Sequence, residues 1–277
     1  MPTQSEKALT FQALHQGAET FVIGNPWDAG TARILTSLGY KALSTTSAGL
    51  AFTLGRRDNT ASVSRDEALA NARAIVDATP LPVAADLENG YGDNPEEAAE
   101  TIRLAAEVAG LVGGSIEDAS GNAEKPIYEF NHAVERIAAA AAAAHALPFP
   151  FMLVARAENY LHGRPDLDDT IRRLQAFEAA GAEVLYAPGI TRPEDIRTVC
   201  ASVTKPVNVL MGMRGAHPLS VKELEALGVR RISIGSGFSR AALTAFLHAA
   251  REVIDDGTFT FAEKTLYMSE LVDLFKP

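Results

Sequence analysis

The sequence predicts an α/β protein of the (β/α)8 class, a TIM barrel. Short apolar runs rich in β-branched residues alternate eight times with helical stretches along the chain. The length of 277 residues fits eight such units, because a barrel of this class needs about 250 residues. No GxGxxG motif follows the first apolar run, which disfavours the alternative of an open, doubly wound sheet.

The strand candidates are apolar on both faces, as parallel strands are when helices cover one side and a filled interior the other. They occupy residues 21–24, 42–46, 82–86, 114–117, 151–156, 184–187, 206–210 and 231–235.

The stretches between these runs carry helix start and stop signals. Ser64, with Glu67 three residues later, forms a capping box. Asn94 before Pro95 combines an N-cap with a proline in the first turn. Further helices are predicted from residues 27–28 to Gly39, and over 168–181, 192–202 and 220–228.

No linker or low-complexity segment divides the chain, so we expect a single domain over residues 1–277, with the barrel over about 18–255. One further amphipathic helix is predicted over about 260–275. Its apolar side chains need a surface to cover them, either on their own barrel or on another subunit.

The composition excludes several classes of function. Hydrophobic residues make up 47% and charged residues 22%, which rules out a mostly disordered chain. The net charge of −10 argues against nucleic-acid and anionic-membrane partners, which need a basic surface. No run approaches the roughly 20 apolar residues that span a bilayer, and no signal peptide is recognisable. With Cys200 as its single cysteine, the chain is expected to be cytoplasmic.

Acidic residues follow three neighbouring strand candidates, at the barrel face where catalytic residues sit. Carboxylates that converge there repel one another unless a cation or a proton intervenes. Oxygen ligands without histidine or cysteine favour a hard cation, Mg²⁺ or Mn²⁺. The alternative is that each acid caps a helix or lies solvated in a loop. The acids are Asp86, Glu88, Glu117, Asp118 and Glu158.

Arg156 ends the buried run FMLVAR, where a charge needs a partner. It either pairs with Glu158 or Glu117, or holds a substrate carboxylate or phosphoryl group. His162 and His217 fall in loops on the same face and are weaker candidates.

Six motifs follow one another along nearly the whole chain: STTSAGLAFTLGRRDN, AADLENGYGDNP, SIEDAS, VARAENY, PVNVLMG and GVRRISIGSGFSRAA. Taken in this order, they resemble the isocitrate lyase/phosphoenolpyruvate mutase superfamily. The resemblance implies a Mg²⁺-dependent barrel that acts on 2-oxo acids or related carboxylates and makes or breaks C–C or P–C bonds through an enolate-like intermediate. It also implies a homotetramer, a dimer of dimers, in which subunits swap a C-terminal helix.

The resemblance assigns metal roles to four acids. Asp86 matches the residue that binds Mg²⁺ directly. The acids that bind through water match Asp58, Glu88 and Glu117.

The resemblance also assigns a substrate site. Arg156 matches the substrate-binding arginine, and with Asp58 and Glu117 it is expected to be catalytic. Thr46, Ser47 and Ala48 match a loop whose backbone amides hold the substrate anion. Further substrate contacts are expected from Ser44, Asp86 and Asn208, the last standing two positions before the family's strand-7 asparagine.

The sequence departs from the family pattern after the fourth strand. The lyases carry a KKCGH loop whose cysteine supplies a proton, whereas the stretch here reads ASGNAEKPIYEF. Lys125 and Asn122 are the candidates for the lysine and asparagine of the mutases, and Gly189 follows Pro188 where the lyases have glutamate. Decarboxylation of oxaloacetate asks less of the site, because CO₂ leaves without a general acid.

The sequence therefore predicts an enzyme that uses Mg²⁺ to act on a small 2-oxo acid or related carboxylate, as a C–C lyase or an oxaloacetate decarboxylase. One alternative is P–C chemistry of the carboxyphosphonoenolpyruvate or phosphonopyruvate mutase or hydrolase type. Another is a non-catalytic protein that binds a 2-oxo acid such as 2-oxoglutarate together with Mg²⁺.

Overall fold

Eight parallel strands form a barrel in the computed structural model, which describes residues 1–58, 62–215 and 218–275. The strands are hydrogen-bonded in the order β1-β8-β7-β6-β5-β4-β3-β2. The ring closes between its ends, where the Ser44 amide donates to the Gly24 carbonyl over 2.9 Å. The strands are β1 (Phe21–Ile23), β2 (Leu43–Ser44), β3 (Val83–Asp86), β4 (Gly113–Glu117), β5 (Met152–Arg156), β6 (Val184–Tyr186), β7 (Val207–Leu210) and β8 (Arg231–Ser233). The predicted TIM barrel is confirmed.

The capping signals start helices where the sequence placed them. Ser64 Oγ accepts from the Glu67 amide, and the Glu67 carboxylate accepts from the Ser64 amide over 2.9 Å. The helices are α1 (Gln4–Gln16), α2 (Ala29–Ser37), α3 (Ser47–Thr53), α4 (Arg65–Asp77), α5 (Pro95–Glu107), α6 (Phe130–His145), α7 (Leu167–Ala179), α8 (Pro193–Ser202), α9 (Val221–Ala226), α10 (Gly237–Arg251) and α11 (Met268–Asp273). None of the described helices is both long and apolar enough to cross a bilayer.

The predicted continuous helix over about 260–275 is wrong in its extent. A 3₁₀ helix spans Thr260–Lys264, and α11 begins only at Met268. Between them Thr265 and Tyr267 adopt extended backbone, with ψ of 152° and 151°. The Tyr267 amide donates to the Glu270 carboxylate over 2.8 Å, so a new N-terminus is capped there and the helix starts afresh.

Helix α1, which the sequence did not predict, closes the N-terminal end of the barrel. Phe11 is fully buried among the first residues of the strands, and the His15 ring meets it edge to face, with centroids 4.6 Å apart. Gly113 makes room for this contact, since a Cβ there would stand 2.8 Å from the Phe11 ring. The lower interior is therefore apolar and sealed, which leaves the opposite end for polar chemistry.

His15 makes the stability of this seal depend on pH. Burial, and then the positive charge of Arg231, lower the pKa of His15 from 6.5 to about 3. Between these values the unfolded chain binds one proton more than the folded chain. The contribution of His15 is thus complete above pH 6.5 and is lost as the pH falls, by about 1.4 kcal/mol per pH unit.

We predict that His15→Gln reduces the slope of unfolding free energy against pH between about pH 6 and pH 4.5, because glutamine does not titrate. Urea unfolding at several pH values measures the slope. His248→Gln, at an exposed position of α10, is the control and keeps the parental slope. Equal slopes for the two variants would contradict the assignment.

Candidate active site

A cavity of about 210 Å³ opens at the C-terminal ends of the strands. The residues that the resemblance assigns to the metal and the substrate line it, with the exception of Asn208. The residues brought together are Ser44, Thr46, Ser47, Ala48, Asp58, Asp86, Glu88, Glu117 and Arg156. The neighbouring Glu158 and His162 also line it, whereas His217 lies outside the described residues.

Arg156 stands at the centre of three carboxylates. Its Nη1 lies 2.8 Å from Asp86 Oδ1, its Nη2 3.1 Å from Glu117 Oε2, and its Nε 2.9 Å from Glu158 Oε1. The Tyr186 ring covers the guanidinium, 5.1 Å from ring centroid to Cζ. Three charged contacts and an aromatic face hold the guanidinium in one orientation at the end of β5. The ion pairs that the sequence left open as an alternative are therefore present.

Asp86 is held on both of its carboxylate oxygens. Oδ1 accepts from Arg156, and Oδ2 accepts from the Ser47 hydroxyl over 2.9 Å. The Asp86 amide donates to Thr45 Oγ1 over 3.1 Å, which ties the end of β3 to the end of β2. The side chain that the resemblance assigns to the metal thus points into the cavity with a fixed geometry.

The donor set of this cavity fits Mg²⁺ or Mn²⁺ held mainly through water. Within the described ranges, no three histidine, cysteine, aspartate or glutamate side chains stand close enough to hold a metal by themselves. Arg156 separates Asp86 from Glu117, which explains why these acids do not form a closed cage. Mg²⁺ needs no such cage, because it keeps several waters and binds proteins through one or two carboxylates.

The electrostatics of the acids agree with this fit. Burial, followed by the charges of Asp86 and Asp58, raises the pKa of Glu88 from 4.5 to about 7. Burial also raises the pKa of Glu117 well above its usual value, although the Arg156 charge opposes the rise. A divalent cation in the cavity would relieve this crowding of negative charge.

Asp118 belongs to a supporting layer, apart from the cavity acids with which the sequence grouped it. It is buried, accepts from the Glu158 amide over 2.8 Å and pairs with Arg173 of α7 at 3.1 Å. It positions the backbone of Glu158, and through that residue the Arg156 guanidinium.

The predicted anion-binding loop at residues 46–48 forms the first turn of α3. Thr46 caps this helix by accepting from the Gly49 amide over 3.3 Å. Glycine is needed there, because a Cβ would lie 2.6 Å from Thr46 Cγ2 and 2.9 Å from Trp27 Cβ. The Ser47 side chain is thereby turned toward Asp86, and the role of the segment toward a substrate stays a prediction.

Asn208 lies below the cavity. It is almost fully buried, and its Nδ2 donates to the hydroxyl of Ser233, which does line the cavity. Leu210, two residues further along β7, takes the place at the mouth. Because alternate strand residues share one face, a position two residues early lies on the same side but one layer deeper.

Sequence reasoning missed the site roles of the polar residues that follow β1 or lie on β6 and β8. Asn25 Oδ1 accepts from the amides of Ile234 and Gly235 over 2.9 and 3.0 Å, and so joins β1 to the loop after β8. Tyr186 and Arg231 also line the cavity. The signal for the arginine was the pair Arg230–Arg231 at the start of a buried strand, where alternation must turn one of the two inward.

The loop after β3 is backbone-strained and clamped. Glu88 and Tyr91 have φ of 49° and 59°, a left-handed region that costs non-glycine residues roughly 1–3 kcal/mol. Arg136 of α6 holds the loop by donating to the carbonyls of Asn89, Gly92 and Asn94, over 2.8 Å for Gly92. The clamp fixes the direction in which Glu88 enters the cavity.

We predict that Arg136→Met destabilises the protein by roughly 3 kcal/mol, because buried loop carbonyls lose their donor. Amide exchange measured by mass spectrometry should rise over residues 88–94, and urea unfolding should give the loss. Arg103→Met is the control, since its ion pairs on α5 are exposed and such pairs contribute less than about 1 kcal/mol. Unchanged exchange in the loop would rule out the clamp.

The barrel, the acids at the ends of β3 and β4 and the arginine at the end of β5 define an enzyme of the phosphoenolpyruvate mutase/isocitrate lyase superfamily. The chain belongs to its phosphoenolpyruvate phosphomutase family, whose model matches residues 11–254.

Relatives in bacteria match most of the chain. An oxaloacetate decarboxylase of Bradyrhizobium diazoefficiens is 30% identical over 257 residues, which are 90% of this chain and 85% of that protein. A 2-methylisocitrate lyase of Escherichia coli is 29% identical over 239 residues, 83% of this chain and 79% of that protein. An uncharacterised protein of Mycobacterium tuberculosis is 33% identical over 250 residues, 89% and 90% of the two chains.

Solved structures show the same barrel. A Burkholderia cenocepacia J2315 protein, described only as a lyase or mutase, superimposes with a TM-score of 0.95 at 56% identity over 99% of this chain and 97% of its own. Oxaloacetate acetylhydrolase with its product oxalate gives 0.88 at 25% identity over 99% and 95%. A 2,3-dimethylmalate lyase gives 0.86 at 27% over 100% and 96%. The protein is thus an enzyme of the lyase or mutase type.

Proposed function

We propose that the protein is a Mg²⁺-dependent lyase that cleaves a C–C bond of a small 2-oxo dicarboxylic acid, with decarboxylation of oxaloacetate as the favoured reaction. The observation that carries the proposal is the Arg156 guanidinium, fixed by Asp86, Glu117 and Glu158 in a cavity lined by acids and hydroxyls. Relatives that act on oxaloacetate support it.

Asp86 would hold Mg²⁺ directly, and Asp58, Glu88 and Glu117 would hold its waters. When bound, Mg²⁺ supplies Lewis-acid stabilisation of the negative charge that develops on the substrate's 2-oxo oxygen.

Arg156 binds and orients the substrate carboxylate. A guanidinium has five N–H donors, and its contacts with three carboxylates occupy about three of them. One N–H on each terminal nitrogen stays available for a substrate oxygen. Because the carboxylates already fix the guanidinium, it needs little reorganisation as charge moves in the substrate.

Decarboxylation of oxaloacetate requires few groups that donate or accept protons, which agrees with the residues of this chain. The bond between C3 and the departing carboxylate breaks, its electron pair forms the enolate of pyruvate, and CO₂ leaves without needing a proton. The enolate then takes one proton from water. This sequence of steps needs no acid on the loop after β4, where ASGNAEKPIYEF contains neither cysteine nor histidine.

P–C bond chemistry on phosphonopyruvate is the second candidate. Asn122, on the loop after β4, lines an adjoining cavity of about 280 Å³ that shares Glu88, Glu117 and His162 with the first. The side-chain amide of Asn122 could donate a hydrogen bond to the phosphoryl group of such a substrate. Lys125 is exposed on the same loop and does not line this cavity.

We predict that Asp86→Asn lowers kcat/KM for Mg²⁺-dependent pyruvate formation from oxaloacetate by at least about 100-fold, because it removes the charge that holds the metal. Coupled pyruvate assays measure the rate, and phosphorus NMR follows phosphonopyruvate in parallel. Asp66→Asn, the same change on the exposed start of α4, is the control and keeps parental activity. A parental protein that binds Mg²⁺ but turns over neither compound would refute the proposal.

We propose in addition that the protein works as a homotetramer with a swapped C-terminal helix. The C-terminal helix α11 buries none of its residues, and α10 before it runs for 15 residues and buries only Ser239. Phe246 of α10 is 71% exposed, and Ile254 just beyond it is 82% exposed. Apolar exposure of this extent marks an interaction surface, and a second copy of the chain offers the matching apolar face.

We predict that Phe246→Glu lowers the assembled mass in light scattering after size-exclusion chromatography, because a charge would be buried at the interface. Leu9→Glu, on the outer face of α1 and 58% exposed, is the control and leaves the mass unchanged. A monomeric parental protein, or an assembled Phe246→Glu variant, would count against this interface.

A further inference from the structure

A second arginine enters the cavity from β8. Arg231 is 4% exposed and lines the cavity together with Ser233 and Gly235, which share its face of the strand. Register connects it to Arg156 through one row of paired residues: Arg156 with Tyr186, Tyr186 with Asn208, and Asn208 with Arg231. The two guanidiniums thus come from opposite ends of one row.

Arg231 has no counter-charge within the described part of the chain. Its Nε and Nη1 are buried without a hydrogen-bond partner, and no described carboxylate lies within 4.0 Å of it. The other buried arginines are engaged: Arg136 by loop carbonyls, Arg156 by three carboxylates and Arg173 by Asp118. A buried cation without a partner destabilises a fold, so stability does not account for this residue.

The walls of the cavity carry opposite charges. The acids that line it all come from the side of β2 to β5, among them Asp86, Glu88 and Glu117. On the opposite side, the described parts of β6 to β8 contribute one charged residue to the cavity lining, and it is Arg231. Burial lowers the pKa of Arg231 to about 10, so it is still cationic at neutral pH. An anion held at the acidic wall by Mg²⁺ and Arg156 therefore faces a second cation across the cavity.

We propose that Arg231 binds a second anionic group of the substrate, so that the site selects 2-oxo acids with two negatively charged ends. This inference rests on the function proposed above and adds to it the residue that recognises the second carboxylate. The volume of about 210 Å³ agrees with a small acid, since pockets for drug-sized ligands begin at about 300 Å³. A C4 or C5 dicarboxylate has the size and the charge that the two walls require.

The test compares two ligands that differ in the second carboxylate. Titration calorimetry with Mg²⁺ gives Kd for 3,3-difluorooxaloacetate, a dicarboxylate, and for 3,3-difluoro-2-oxobutanoate, a monocarboxylate in which a methyl group replaces the second carboxylate. In Arg231→Met we expect Kd for the dicarboxylate to rise about 10- to 100-fold and that for the monocarboxylate to change less than about 3-fold. Arg231→Lys should recover part of the loss.

The control is Arg230→Met, the neighbouring arginine, which lines a different cavity at the opposite end of the barrel and should leave both constants unchanged. The melting temperature of ligand-free Arg231→Met should equal or exceed that of the parent, because an unpaired buried charge is gone. This result separates lost binding from lost folding.

Equal loss of affinity for both ligands would overturn the proposal, since Arg231 would then act through the general field of the cavity. No loss for either, or no binding of either ligand by the parent, would also overturn it. The ratio of binding constants is independent of turnover, so a parent that binds the dicarboxylate but decarboxylates nothing refutes the proposed reaction and not the role of Arg231.

Discussion

The site depends on one buried cation shared by three carboxylates. Asp86, Glu117 and Glu158 come from the ends of β3, β4 and β5, and without a counter-charge they would repel one another. Arg156 neutralises part of this charge and is itself fixed by it. In the proposed function, the remaining negative charge would attract a divalent cation, and the free N–H donors of the same guanidinium would bind an anion. The two affinities that a metal-dependent reaction of a carboxylate needs thus share one structural origin.

Other parts of the fold hold Arg156 and its three carboxylates in place, both at the N-terminal end of the barrel and around the cavity. Helix α1 seals the lower interior with Phe11, so polar groups are concentrated at the other end. Asp118 and Arg136 act one layer away, on the backbone of Glu158 and on the strained loop of Glu88. These contacts are tertiary and connect distant parts of the chain. Changes one layer away from the cavity can therefore shift the residues that line it.

Much of this was predictable from sequence, for a physical reason. Apolar runs and capping residues are local signals, and in a barrel the residue that ends a strand is placed at the mouth by the fold itself, as with Asp86 and Arg156. How deep a side chain lies in the barrel, and in which direction it points, could not be predicted in this way. Asn208 lies a layer too low, Asp118 turns outward to Arg173, and the tail breaks at Thr265, because neighbours distant in sequence decide each case. Arg231 was visible only as half of an arginine pair, and its lack of a partner is a property of the folded interior.

The central claim is that Arg156 and the surrounding acids form a site for a metal ion and a 2-oxo dicarboxylate. A crystal structure with Mg²⁺ and 3,3-difluorooxaloacetate tests it most directly. The account predicts Mg²⁺ on an Asp86 oxygen, one ligand carboxylate within hydrogen-bond distance of Arg156, and the other facing Arg231. A ligand bound outside this cavity, or held in it without Arg156, would contradict the account.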